Sequence, residues 1–263
     1  MIYKIGTCGY SYKDWEGVFY PEGLPPGDKL THYARHFPAV EINSTYYNIP
    51  NRAVFYHLQR KVPEHFEFIV KTHRETTHTR KENRRAMAEL TESLKPLIEA
   101  NQFRGFLAQF PYSFKNTPEN RDYLAKTREL AGNFPLFVEF RNCTWNQPET
   151  FDFLRAQGMG YVNVDEPPLR GLLPPQNIAT TDTAYVRFHG RNQTDWWEGT
   201  NETRYHYDYR QSELEEWSER LIELIKKSLK TYIFFNNHPV GKAVDNALAM
   251  MKILERQAGL LGQ

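Results

Sequence analysis

The 263-residue chain is poor in cysteine, in long apolar runs and in unbalanced charge, and each shortage excludes a class of protein. Two cysteines, Cys8 and Cys143, are too few to staple a chain of this length, so a packed core and a reducing compartment are expected. The longest apolar stretches, such as that around Ile233, Phe234 and Phe235, fall far short of the roughly 20 residues of a membrane-spanning helix. No positively charged and then apolar leader precedes the strand-like start, which adds to the expectation of a cytoplasmic protein with no membrane contact. Thirty-three Lys and Arg against 32 Asp and Glu leave a net charge of +1. Binding of duplex nucleic acid through bulk charge is thereby excluded, while a local basic patch remains open. Apolar residues are plentiful at 40%, enough for a sizeable core, and aromatic residues reach 14%. No linker, repeat or low-complexity tract interrupts residues 1–263, which read as one domain.

Short runs rich in β-branched and aromatic residues recur at 3–7, 39–43, 66–71, 103–109, 136–141, 160–165, 184–189 and 231–237, and predict eight strands. Helical patterns separate most of them. Leu30, Tyr33, Ala34 and Phe37 form one stripe; Met87, Leu90, Leu94, Leu97 and Ile98 form another, bent at Pro96. Thr117, Pro118 and Glu119 read as cap, first-turn proline and first-turn acid, with Gly132 as the stop. Ser212 and Glu215 suggest a capping box ahead of Trp217, Leu221, Leu224 and Ile225. A last helix carries Ala243, Ala247, Met250, Met251 and Leu254. Residues 166–183 hold four prolines and predict a loop where a sixth crossover helix would stand.

Regular alternation of strand and helix implies a parallel sheet, open or closed. Strands covered by helices on both faces read as continuously apolar. Here polar residues alternate instead: Glu41 with Asn43, Glu139 with Arg141, Asn163 with Asp165, Arg187 with His189. A closed barrel, whose alternate residues point into the lumen, accounts for that parity, and eight is the common barrel number. The expected fold is an α/β, (β/α)8 TIM-type barrel with an irregular sixth β–α unit.

Active sites of such barrels lie at the carboxyl ends of the strands. Those positions carry Thr7 and Cys8, Glu41 and Asn43, Lys71 and His73, Gln109, Glu139 and Arg141, Asp165, Arg187 and His189, Asn236 and Asn237. Burying so many polar groups with no ligand to serve is costly, so a polar ligand pocket is expected there. Arg141 and Arg187 have forks suited to carboxylate or phosphate, and Lys71 adds a point charge. With Asn43, Gln109, Asn236 and Asn237 they are the candidate ligand-binding residues, for a small anionic ligand. Glu41, Glu139 and His189 are the candidate catalytic acid–base groups. The competing account is a structural network in which Glu41 or Glu139 pairs with Arg141 or Arg187. Glu139, Asp165 and His189 are metal-ligand types, but the cations beside them disfavour a divalent ion, so neither metal nor cofactor is expected. Cys8 reads as a small packed residue. Two aromatic segments, 10–20 and 195–209, follow the first and seventh strands, where their rings either stack on a ligand or form a private core of the loops.

The segments GTCGYSYKDWEGVFYP, YARHFPAVEINSTYYNIP, FIVKTHRETTH, LAQFPYSF, VEFRNCTW, YVRFHG and FFNNHPVGKAVDNA together resemble the YecE-like family, domain of unknown function 72, over essentially the whole chain. The resemblance implies a barrel of the triosephosphate-isomerase type and supplies no activity. The matching motifs include Glu41, Asn43, Lys71, His78, Gln109, Glu139, Arg141, Trp145, Arg187, His189, Asn236 and Asn237. The fold is also similar to phosphodiester- and sugar-processing barrels of the endonuclease IV type, whose set of His, Glu and Asp metal ligands this sequence does not reproduce. Three readings therefore stand: an anion-binding barrel with or without acid–base catalysis, a nucleic-acid-binding or endonuclease-like barrel, and a non-catalytic scaffold. Oligomeric state is left open.

Overall fold

The eight expected strands are β1 (Ile2–Thr7), β2 (Ala39–Ile42), β3 (Glu67–Lys71), β4 (Phe103–Gln109), β5 (Leu136–Glu139), β6 (Met159–Asp165), β7 (Thr183–Phe188) and β8 (Lys230–Phe235), in a computed structural model that describes residues 2–261. Each pairs in parallel with its neighbour in the order β1-β8-β7-β6-β5-β4-β3-β2. The sheet curls until β1 faces β2, making a nearly closed barrel. Among the described residues nine helices lie between the strands and a tenth follows the last: α1 (Lys29–Tyr33), α2 (Arg52–Gln59), α3 (Arg74–Thr77), α4 (Asn83–Ser93), α5 (Lys95–Glu99), α6 (Pro118–Leu130), α7 (Pro148–Ala156), α8 (Asn201–Arg204), α9 (Gln211–Lys227) and α10 (Lys242–Leu261). None is long and apolar enough to cross a membrane.

Local chemistry explains most boundaries. The helix expected to bend at Pro96 breaks at Leu94 and restarts as α5 with the proline in its first turn, where a missing N–H costs nothing. Thr117 Oγ1 accepts the Asn120 N–H at 3.3 Å and starts α6. The capping box expected at Ser212 and Glu215 is displaced by two residues: α9 starts at Gln211, and Glu213 accepts the Arg210 N–H at 2.9 Å. Glu213 is also bound by the Tyr207 hydroxyl at 2.6 Å, so a tertiary contact selected the acid that caps. Between β6 and β7 no helix forms. The Asn163 amide takes its place, donating to the Ile178 carbonyl at 2.9 Å and accepting the Ile178 N–H at 2.8 Å, so the proline-rich loop lies fastened along the sheet.

The β1–β2 seam has no ladder. It is bridged at Cys8 and Glu41, where the Gly9 N–H donates to the Glu41 carbonyl at 2.7 Å. Below that point Tyr33 reaches in from α1; its hydroxyl accepts the Thr7 N–H at 2.8 Å and donates to the Ala39 carbonyl at 3.2 Å. Gly6 permits this approach, since a Cβ there would stand 2.1 Å from the Ala39 oxygen. Tyr33→Phe strands both backbone groups in a dry seam. It should lower unfolding stability by about 1–3 kcal/mol, measured by urea denaturation, and an unchanged midpoint would show that the seam closes without the hydroxyl.

Within the barrel, side chains stack in layers. At the amino end Glu67 accepts from Lys230 at 2.8 Å, Arg104 at 3.1 Å and the Tyr232 hydroxyl at 2.5 Å, a polar plug. Above it the rings of Phe137, Tyr185 and Phe234 fill the lumen, with centroids 4.9 and 5.4 Å apart. A Cβ on Gly160 would come within 2.5 Å of the Phe137 ring, so glycine there makes room for that layer. The third layer, at the carboxyl ends, is charged.

Candidate functional site

A cleft of about 570 Å³ opens above this third layer. Asn43, Lys71, Gln109, Arg141, Arg187 and Asn236 line it, each from the end of a different strand. Beneath them the strand period carries a second set of groups out of solvent: Glu41, Glu139 and His189 are fully buried. Six of the seven candidate ligand-binding residues therefore line the cleft, Arg187 from its buried floor, and the candidate acid–base residues form its foundation.

Arg187 holds that foundation together. Its guanidinium donates to Glu139 Oε2 at 2.5 Å, to Glu41 Oε1 at 2.7 Å and to the Cys8 sulfur at 3.4 Å, while the Tyr185 hydroxyl donates to Glu41 Oε2 at 2.5 Å. Arg141 lies one residue pair higher. Its Nε stands 2.7 Å from Glu139 Oε1, an ion pair without hydrogen-bond alignment, and its other nitrogens reach Glu166 at 3.4 Å and His189 Nε2 at 3.2 Å. The same His189 Nε2 stands 3.1 Å from Glu139 Oε1, and its Nδ1 lies 3.1 Å from the Asn236 amide nitrogen. Arg141 also lies under Trp196, 5.5 Å from the ring centre. Lys71 donates to Gln109 Oε1 at 2.8 Å and sits over the Tyr46 ring at 4.8 Å.

Burial and neighbouring charge set the protonation states. Burial pushes the Glu139 carboxyl up, but Arg187, Arg141 and His189 together outweigh it and hold the group well below the usual carboxylate range. Glu166 has only Arg141 and the Leu173 N–H against its burial, and is pushed up to about 8. His189 is lowered to about 3 by burial and then by Arg141, so its ring is neutral at pH 7. His78, on the cleft wall, is lowered to about 4 by burial, Lys71 and Arg141. Lys71 itself falls to about 8, first through burial and then through Arg187, with Glu139 and Glu41 partly offsetting them.

Three strand-end residues point elsewhere. Asp165 was expected in the ring, yet β6 presents Val162, Val164 and Glu166 to the lumen side, beside Tyr185 and Arg187 of β7. Asp165 faces the helices, where it accepts from Arg191 Nε at 2.9 Å, the Tyr209 hydroxyl at 2.7 Å and the Trp217 indole. It does not converge with Glu139 and His189, and among the described residues no group of three or more His, Cys, Asp or Glu could hold a metal ion. Asn237 likewise turns outward, tied to Asn246 at 2.7 Å and the Tyr207 carbonyl at 2.8 Å, and does not line the cleft. His73 caps α3, accepting the Glu75 N–H at 3.3 Å.

Strand-end reading passed over Glu166, one residue beyond β6 and of opposite parity to Asp165, and had no signal for Tyr46. The aromatic segments divide. Tyr12, Trp196, Trp197 and Tyr205 line the cleft, whereas Trp15 and Tyr20 are buried packing. The segment after β7 also crosses the mouth: Asn201 donates to the Tyr47 hydroxyl at 3.1 Å, and Trp197 meets Tyr112 edge-on at 4.9 Å.

The family pattern described as "Protein of unknown function DUF72" matches residues 4–262. The UPF0759 protein YunF of Bacillus subtilis (strain 168) is 35% identical over 272 residues, spanning 97% of this chain and 95% of YunF. A DUF72 family crystal structure from Thermotoga maritima matches with a TM-score of 0.90 at 43% identity, covering 97% of this chain and 100% of that one. Another, from Enterococcus faecalis, gives 0.88 at 29% identity over 97% and 96% of the two chains.

Proposed function

From the premise that this chain belongs to the DUF72 family, we propose that it binds a small anionic ligand, phosphorylated or carboxylated, at the carboxyl ends of its strands. The observation that carries the reading is the charge count of the third layer: three cations, Lys71, Arg141 and Arg187, face two carboxylates, Glu41 and Glu139. Glu166, pushed up to about 8, adds little negative charge at pH 7. The unbalanced cation is Lys71, on the cleft wall, where Asn43 and Asn236 supply neutral hydrogen-bonding groups. A volume of about 570 Å³ is that of a small-molecule pocket, and the bridged mouth suits such a ligand better than a continuous nucleic-acid strand.

Phosphate or sulfate at millimolar concentration should raise the melting temperature above that in chloride of equal ionic strength. Saturation to a hundred times the dissociation constant corresponds to about 2.7 kcal/mol. Lys71→Met and Arg141→Met should each lose the shift. Equal shifts in wild type and both variants would mark general salt exclusion and sink the reading. Tight, steeply salt-dependent binding of single-stranded oligonucleotides would put the nucleic-acid reading in its place.

A further inference from the structure

We propose that Lys71 is a nucleophilic amine that forms an imine with the carbonyl group of a small aldehyde- or keto-bearing anion held in the cleft. The proposal rests on the anion-binding reading and narrows it to carbonyl compounds.

Four buried or half-buried lysines are ion-paired, Lys29 with Glu16 at 2.8 Å, Lys230 with Glu67 at 2.8 Å, Lys4 with Glu67 at 3.4 Å and Lys242 with Asp208 at 2.8 Å, and Lys61 donates to the Gly27 carbonyl at 2.6 Å. Lys71 has an uncharged acceptor, Gln109 Oε1, and an aromatic face, Tyr46, as its neighbours. Its amine opens onto the cleft from a rigid strand end, in a wall that also carries Arg141 and Arg187. A lysine desolvated beside other cations is the arrangement that raises the neutral, reactive fraction of an amine. The groups facing it are Arg187 on β7, Glu139 and Arg141 at β5, and Glu41 on β2; burial and the two arginines prevail, leaving the amine at about 8.

The step balances within the site. The Lys71 nitrogen lone pair attacks the carbonyl carbon, the C–O π pair moves to oxygen, and that oxygen takes up a proton to give a carbinolamine. The nitrogen then loses its proton, the hydroxyl leaves as water after a second protonation, and a C=N bond remains. His78 lines the same cleft and is neutral at pH 7, so it is available to relay these protons. Arg141 would hold the carboxylate or phosphate of the same molecule.

The test is reductive trapping on the wild-type protein. Glyoxylate and pyruvate as anionic probes, and propanal as a neutral one, are added with cyanoborohydride, and the modified lysines are mapped by peptide mass spectrometry. Lys71 should be labelled at least on the order of tenfold faster than the exposed lysines, as expected for its larger neutral fraction. The anionic probes should outrun propanal, phosphate should slow them, and labelling should rise with pH through about 8. Lys71→Arg should give no adduct at this position; the mapping uses wild type alone and decides even where this variant does not fold. Labelling spread evenly over exposed lysines, with phosphate stabilisation intact, would overturn the imine and leave the anion site standing. Selective Lys71 labelling indifferent to phosphate, with no phosphate stabilisation, would instead overturn the anionic substrate class.

Discussion

Arg187→Met should destabilise the protein by about 3–5 kcal/mol at neutral pH. The guanidinium is 1% exposed and spends its terminal nitrogens on Glu139, Glu41 and Cys8. Methionine fills the volume but leaves two buried carboxylates with far less compensation. The pH dependence gives the loss a signature. In wild type Glu139 is held well below its unfolded value, so its contribution is present above about pH 4.3 and is lost only as pH falls through the lower folded value. Without Arg187 the burial of that carboxyl is opposed mainly by Arg141, 2.7 Å away, so its value rises and the variant is penalised increasingly as pH climbs toward neutrality. Urea denaturation at pH 4 and pH 7 should therefore show a deficit that grows toward neutrality. Adding Glu41→Gln and Glu139→Gln should recover part of it, because the uncompensated charge is then gone. A loss below about 1 kcal/mol, or one independent of pH, would mean that the carboxylates find other partners.

Glu166→Gln should act in the opposite direction. Glu166 is buried, and its carboxyl is pushed up to about 8 against an unfolded value of about 4.3. A raised carboxyl contributes stability that is complete below the unfolded value and drains away as pH rises through the folded one. Wild type should thus lose stability progressively between about pH 4 and pH 8. Glutamine keeps the shape and can still accept from the Leu173 N–H, which Glu166 receives at 2.9 Å. It should flatten this slope and stabilise the protein by a few kcal/mol at pH 8–9, with little change at pH 4. Parallel stability curves for variant and wild type across that range would show that Arg141, 3.4 Å away, keeps Glu166 ionised.

The barrel was legible because its cause is local. A period of two along each strand and the helical stripes between strands are properties of neighbouring residues, and they placed all eight strands within a few residues of their observed ends. Period two also placed Glu41, Glu139, Arg141, Arg187 and His189 on one side of their strands, and the structure gathers them in one contiguous network. Parity cannot say which side of a sheet is the inside. Asn163 and Asp165 alternate just as the lumen residues do, yet they face outward. What selects their face is distant in the chain: the Ile178 backbone for one, Arg191, Tyr209 and Trp217 for the other. Depth was equally hidden. Glu139 and Lys71 are both strand-end residues, but one is sealed beneath two guanidinium groups and the other opens onto the cleft. That separation, which makes one group part of the scaffold and the other available to a ligand, depends on how eight strands stagger around a common axis. Strand stagger is set by pairings between residues far apart in sequence, and only the folded barrel contains it.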